Sequence, residues 1–205
     1  MPREQHGGMP EDVLVVPRAA LFPAGGFHGF AREGLPAYLE AIARHAFFAP
    51  RAQVEEDPSL KQVIPYTVLR HRDRIYLVAR TRAGAEVRLR EKLSIGLGGH
   101  ITPDDTVDAT DPVAAGMERE LTEEVELPAG WRARPVGVLN DDVEPVGRVH
   151  FGVVYIADLP SAAVRVREVR KLSGAFATPQ EIRAAYPRLE SWSQFIVDGL
   201  DLLED

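Results

Sequence analysis

The chain contains no cysteine, which excludes disulfides, thiolate nucleophiles and cysteine-ligated zinc. Any metal it holds must sit on oxygen or imidazole ligands. It also lacks any run approaching the roughly 18 consecutive apolar residues that a membrane-spanning helix needs. Its polar start, Met1-Pro2-Arg3-Glu4-Gln5, has no apolar centre of the signal-peptide kind. The expectation is a cytoplasmic protein without membrane contact. Basic residues are in the minority, 24 Lys and Arg against 31 Asp and Glu, for a net charge of −7. Nucleic acid is therefore not an expected partner, because that grip needs clustered cations to displace counterions.

What is present is the balance of a soluble globular domain: 45% apolar and 27% charged residues over 205 positions, enough for one well-buried domain and too few for two of ordinary size. Residues 1–58 read as an N-terminal extension with a strand (Val13-Leu14-Val15-Val16) and a helix packed on the core. In that helix Leu35, Tyr38, Leu39, Ile42 and Ala46 recur at three- and four-residue spacing. Residues 59–205 then form the main domain.

Strand-like runs at 63–69 and 75–79 flank the polar turn His71-Arg72-Asp73 and predict a hairpin. Alternation over 87–95 predicts a further strand, running into the loop Gly96-Leu97-Gly98-Gly99. A helix is expected over 111–127, with Thr110 or Asp111 as N-cap, Pro112 just inside, and Pro128 and Gly130 beyond its end. Strands at 135–139 and 149–157, a helix opened by Thr178-Pro179-Gln180-Glu181, and a last helix over 191–203 complete the pattern. Interleaved strands and helices without repeats place the chain in the α/β class with a mixed sheet.

The chemistry concentrates on the 111–127 helix. At 100° per residue, Ala114, Met117, Leu121 and Val125 form an apolar stripe, and Glu120, Glu123 and Glu124 share the neighbouring arc. Three carboxylates so placed repel one another, and a hard divalent cation such as Mg²⁺, which prefers carboxylate oxygens, relieves that repulsion. Arg119 precedes Glu123 by one turn and can hold it in place. The competing reading of any acidic helix is a solvated face. The strand and glycine loop just upstream favour a site, since such loops let backbone N–H groups approach a phosphate.

Gly-Gly-His on a loop, followed by Arg119-Glu120-Leu121-Thr122-Glu123-Glu124 on a helix, resembles the signature of the Nudix (MutT-like) hydrolase superfamily. In that signature a Gly, five residues, a Glu and seven residues lead to Arg-Glu-apolar-x-Glu-Glu-x-Gly-apolar. Asp111 takes the place of the first Glu, Glu126 that of the last Gly, and Leu127 the closing apolar position. From Gly99 to Arg119 there are 20 positions rather than the family's 14, so the loop 101–110 is longer by about six. The segment Lys92 to Ile101 also resembles a bacterial subgroup described only as phosphoesterases.

The resemblance implies a Nudix-type α/β/α sandwich. It also implies hydrolysis of a nucleoside diphosphate linked to another moiety, by water attack on phosphorus with Mg²⁺ or Mn²⁺ as cofactor. Glu120 and Glu124 would be the principal metal ligands, Glu123 a ligand or water-orienting residue, and Arg119 the clamp. The Gly98-Gly99 backbone would contribute a carbonyl or a positioning contact to the substrate. Arg88, Arg90 and Lys92 alternate along the expected strand and could line a diphosphate cleft, or simply face solvent. The general base is left open between Glu123 and a carboxylate of the 140–147 loop, Glu144 first, with Asp141 and Asp142 beside it. Histidines, including His100 and His150, read as core or surface residues, and Trp131, Trp192 and Phe195 as core or dimer contacts.

A Nudix-fold isomerase of isoprenyl diphosphates would need the missing cysteine. The alternative of another class is a Nudix-fold module that senses a nucleotide without cleaving it. The small-molecule partner would be a nucleoside diphosphate derivative, and a homodimer is in keeping with family habit. The 101–110 loop is expected to tune substrate range rather than stability.

Overall fold

The computed structural model describes residues 11–80, 92–107, 109–167 and 172–200. In chain order the elements are β1 (Asp12–Pro17), α1 (Arg18–Leu21), β2 (Gly29–Ala31), α2 (Leu35–His45), β3 (Phe47–Pro50), α3 (Arg51–Val54), β4 (Leu60–His71) and β5 (Arg74–Arg80). They continue as β6 (Leu93–Ser94), β7 (Gly96–Gly98), a 3₁₀ turn (Pro103–Thr106), α4 (Pro112–Glu124), β8 (Val125–Glu126), β9 (Arg132–Asn140), α5 (Pro145–Arg148) and β10 (His150–Asp158). β11 (Arg165–Val166), β12 (Leu172–Ala177), α6 (Pro179–Ala185), a second 3₁₀ turn (Tyr186–Arg188) and α7 (Ser191–Gly199) follow.

β10 carries the uninterrupted apolar run that a strand covered on both faces requires, and it lies at the centre of a mixed sheet ordered β12-β5-β4-β10-β9-β2. It pairs in parallel with β4, His150 opposite Gln62 through Asp158 opposite Arg70, and antiparallel with β9. Because successive side chains point to opposite faces, Phe151, Val153 and Tyr155 join one core layer with Val113, Met117 and Leu121 of α4 and Ile42 of α2. Val154 and Ile156 join the other, with Ile182 of α6 and Ile196 of α7. The result is the expected α/β/α sandwich. No described helix is long and apolar enough to cross a membrane.

The described segment before residue 59 is woven into this sheet. β1 pairs with β4 and β3, and β2 extends the sheet beyond β9. The hairpin expected around His71-Arg72-Asp73 closes with His71 opposite Arg74, and Arg72 takes the left-handed conformation the tight turn demands (φ 56°). The last helix is expected to reach 203; α7 is assigned over Ser191–Gly199, and residues 201–205 lie outside the described set.

The helix expected over 111–127 ends earlier, at Glu124. Val125 leaves in extended conformation (φ −138°, ψ 151°) and Val125–Glu126 bridges to Arg165–Val166. The family's glycine position therefore needs no left-handed residue here, which is why Glu126 is tolerated. At the other end, the Asp111 carboxylate accepts hydrogen bonds from the Val113 and Ala114 N–H groups at 3.0 and 3.1 Å, an N-cap that a Glu is too long to make as readily. The buried stripe of α4 is Val113, Gly116, Met117 and Leu121, so Val113 and Gly116 replace Ala114 of the sequence reading. Helical phase over a short run is set by packing as much as by apolarity.

Candidate active site

α4 is pressed onto β4 and β7, and this packing delivers its acidic side to the glycine loop. Gly98 pairs with Tyr66 at the edge of β4, and a Cβ there would lie 2.3 Å from the Pro65 carbonyl oxygen. A Cβ on Gly99 would lie 2.1 Å from the Glu120 carboxyl carbon. Only glycines permit this approach, so the two residues bring the Gly99 backbone and the Glu120 carboxylate face to face.

Arg119 organises the carboxylates. Its Nη1 donates to Glu120 Oε1 at 3.0 Å and to Glu123 Oε1 at 3.3 Å, and its Nη2 donates to the His100 carbonyl at 2.8 Å. Its remaining donors go to a residue that sequence reasoning missed. Asp105, in the 3₁₀ turn of the long loop, accepts from Arg119 Nε at 2.8 Å and from Nη2 at 3.0 Å. Asp105 is itself fixed by the Thr102 N–H at 2.8 Å. Its signal was present as a Thr102-x-x-Asp105 capping pattern.

Burial works against the charge on Asp105, but the bonds from Arg119 and Thr102 outweigh it and hold the carboxyl below its usual range. The same bond from Asp105 is the main influence raising Arg119. Burial pushes the Glu120 carboxyl above its usual range despite the neighbouring guanidinium. A half-buried carboxylate of this kind gains from a cation.

The structure thus gathers Arg119, Glu120, Glu123, Gly98 and Gly99. Glu124 lies one turn beyond Glu120 on the same helix, half-buried, whereas Glu123 is 60% exposed. Among the described residues, no three His, Asp or Glu side chains converge to hold an ion by themselves. The donor set fits Mg²⁺ or Mn²⁺ nonetheless: it is all oxygen, and such ions typically take one or two protein carboxylates and complete their shell with water and substrate phosphates. Arg88 and Arg90 lie outside the described residues.

Beside the glycine loop a cavity of about 440 Å³ opens, lined by Gly98, Gly99, Lys92, Glu144, Trp192 and Gln194 among others. That volume suits a small-molecule ligand. α7 forms one wall and is held by Tyr66, whose buried hydroxyl donates to Glu190 Oε1 at 2.6 Å and meets Ser94 and Ser193 Oγ, each at 2.8 Å. Trp192 packs edge-on against Tyr66 at 5.6 Å.

The 140–147 loop separates its three acids. Asp142 is gripped by Arg18 at 2.7 and 2.6 Å and by the buried Lys61 ammonium at 2.9 Å. The Arg18 bonds, more than any other influence, hold it well below the carboxylate range. Asp141 is buried and accepts from the Val143 and Glu144 N–H groups at 3.0 and 3.2 Å. Glu144 alone of the three lines the cavity.

No family model matches the chain. Protein YmaB of Bacillus subtilis (strain 168) is 36% identical over 208 aligned positions, covering 95% of this chain and 100% of the relative. Tm1382, a protein assigned to the Nudix hydrolases, superposes with a TM-score of 0.77 at 27% identity over 92% of this chain and 97% of its own. The chain belongs to the Nudix hydrolase superfamily. DR0079 of Deinococcus radiodurans shares the Nudix chain's fold more distantly, with a TM-score of 0.51 at 15% identity over 76% of this chain and 90% of its own. The matches to YmaB and Tm1382 each span nearly the whole chain, so both take in most of the N-terminal segment.

Proposed function

We propose that the protein is a metal-dependent pyrophosphohydrolase that cleaves the phosphoanhydride bond of a nucleoside diphosphate linked to another moiety. The observation that carries the reading is the close approach of Gly99 to Glu120, with Arg119 held between that carboxylate and Asp105. Two glycines and a partly buried ion pair thus hold one carboxylate close to the glycine-loop backbone.

Glu120 and Glu124 would hold Mg²⁺ or Mn²⁺ with the Gly99 carbonyl, and Glu123 would join them or orient water. When bound, the ion neutralises the diphosphate and lowers the pKa of attacking water. Arg119 keeps Glu120 oriented and ionised. Lys92, on the cavity wall, offsets charge on the substrate, and the cavity beside Trp192 receives the moiety beyond the diphosphate. Glu144 is the proposed general base, since it faces the cavity while Asp142 is tied down by two cations. Residues 59–205 form the hydrolase domain in this reading, and the extension 1–58 completes its sheet through the described strands β1, β2 and β3.

The test is release of phosphate or nucleoside monophosphate from a panel of nucleotide sugars, ADP-ribose, dinucleoside polyphosphates and coenzyme A, with Mg²⁺, with Mn²⁺ and with chelator. Metal-dependent cleavage of a panel member is the expected result. A ligand that raises the melting temperature while the whole panel stays intact would replace this reading with a nucleotide sensor.

A further inference from the structure

His100, next to Gly99, and His150, at the start of β10, face each other inside the cavity wall with their Nε2 atoms 3.4 Å apart and their ring centroids 5.5 Å apart. The two residues come from distant parts of the chain, and in the sequence they read as ordinary core or surface positions. The sheet register brings them together, because His150 stands opposite Gln62 on the face that also presents Ile64 to the cavity.

The His150 ring is fixed by the Val146 carbonyl, 2.6 Å from its Nδ1. A carbonyl can only accept, so Nδ1 carries the proton and donates, and Nε2 presents its lone pair to His100. At 3.4 Å the Nε2–Nε2 separation is at the long end of the hydrogen-bond range, beyond the about 2.7–3.2 Å that N–H···O bonds favour. It equals the span of two imidazole ligands on one ion: two bonds of about 2.0–2.1 Å at a tetrahedral angle end about 3.3–3.4 Å apart. A backbone carbonyl on the other ring nitrogen is the usual support of a metal-bound histidine.

The cations that disfavour positive charge on the rings are each paired with carboxylates. Arg51, which acts on both rings, is engaged by Glu11 at 3.1 Å and Glu55 at 2.9 Å. Lys61, which acts on His150, is engaged by Asp142 at 2.9 Å. Glu144 and Glu190 line the same cavity against the single cation Lys92 among its described lining.

We propose that His100 and His150 form a second metal site, separate from the box carboxylates, which takes a borderline dication of the Zn²⁺, Co²⁺ or Ni²⁺ class through both Nε2 atoms. The remaining positions on the ion open to the cavity for water or an oxyanion. Imidazole ligands select this class over Mg²⁺, so the site and the carboxylate box discriminate between cations. This inference does not rest on the hydrolase reading.

The test is Zn²⁺ titration by calorimetry on the full-length, chelator-stripped protein and on three variants. In the double variant Glu120→Gln, Glu124→Gln, one equivalent of Zn²⁺ should still bind. In His100→Gln or His150→Gln its affinity should fall at least about tenfold, the 1.4 kcal/mol expected as a minimum for losing one of two ligands. X-ray absorption on the Zn²⁺-loaded wild type should show imidazole scattering from two histidines, a readout that survives a misfolded variant. Zn²⁺ uptake that disappears with the glutamates and ignores both histidines, an oxygen-only shell, or no saturable uptake would each overturn the proposal.

Discussion

Asp105 and Arg119, 14 residues apart, meet through two nearly parallel hydrogen bonds of 2.8 and 3.0 Å, and the carboxylate that makes them is almost wholly buried. This pair ties the long loop to the acidic helix. The extra residues relative to the family pattern are thereby given a structural role, whereas the sequence suggests a surface loop free to vary. Ile101, fully buried in the α4 core layer, adds to it.

Asp105→Ala should destabilise the protein by about 2–3 kcal/mol, because it removes the bidentate carboxylate that ties the loop to Arg119 and leaves two guanidinium donors unpaired in a partly buried position. Excision of the 3₁₀ turn should do at least as much. Urea unfolding monitored by circular dichroism reads both. A loss confined to substrate range, with an unchanged unfolding midpoint, would return the loop to the role its sequence suggests.

Glu124→Gln removes charge at nearly constant volume. The hydrolase reading expects turnover to fall by more than about a hundredfold while the far-ultraviolet spectrum and melting temperature hold. Steady-state kinetics on whichever substrate the panel yields gives the answer, and wild-type turnover in this variant would remove the metal role from the box.

The sandwich, the capped helices and the acidic stretch are legible because each rests on local chemistry: the apolar run of β10, Pro112 behind Asp111, the Thr178 capping box. What escaped depends on tertiary register. Asp105 needed the loop to fold back on Arg119, and His100 needed β10 to fall beside β4 with His150 at its first position. The early end of α4 was hidden for the same reason, since Val125 is drawn into a bridge with a strand 41 positions later in the chain. The integration of β1 and β2 into the sheet likewise depends on pairings with β4 and β9 that no local pattern announces.

Gly99→Ala separates site geometry from fold. The new methyl would collide with the end of a flexible side chain rather than with backbone, so Glu120 can swing aside at a stability cost of less than about 1 kcal/mol. The displaced carboxylate should weaken Mn²⁺ binding by about tenfold or more, the scale of disturbing a ligand's support. Electron paramagnetic resonance of free Mn²⁺ measures this without any substrate. Unchanged affinity would mean that Glu120 and the Gly99 backbone do not share an ion.

The histidine pair also predicts the acid limb of the stability curve. Burial, with help from Arg51, depresses His100 from 6.5 to about 3, and burial depresses His150 as well. Between about pH 3 and 6.5 the unfolded chain therefore binds more protons than the folded one, so stability rises with pH through this window and falls as the solution is acidified. Above about pH 5 most carboxylates have finished titrating, and the slope from pH 5 to 6.5 isolates the imidazoles. His100→Asn should flatten it, and the double variant with His150→Asn should flatten it further. Urea midpoints in metal-free buffer across that range decide the point. A slope equal to wild type would show that these rings protonate as freely in the folded protein as in the unfolded chain.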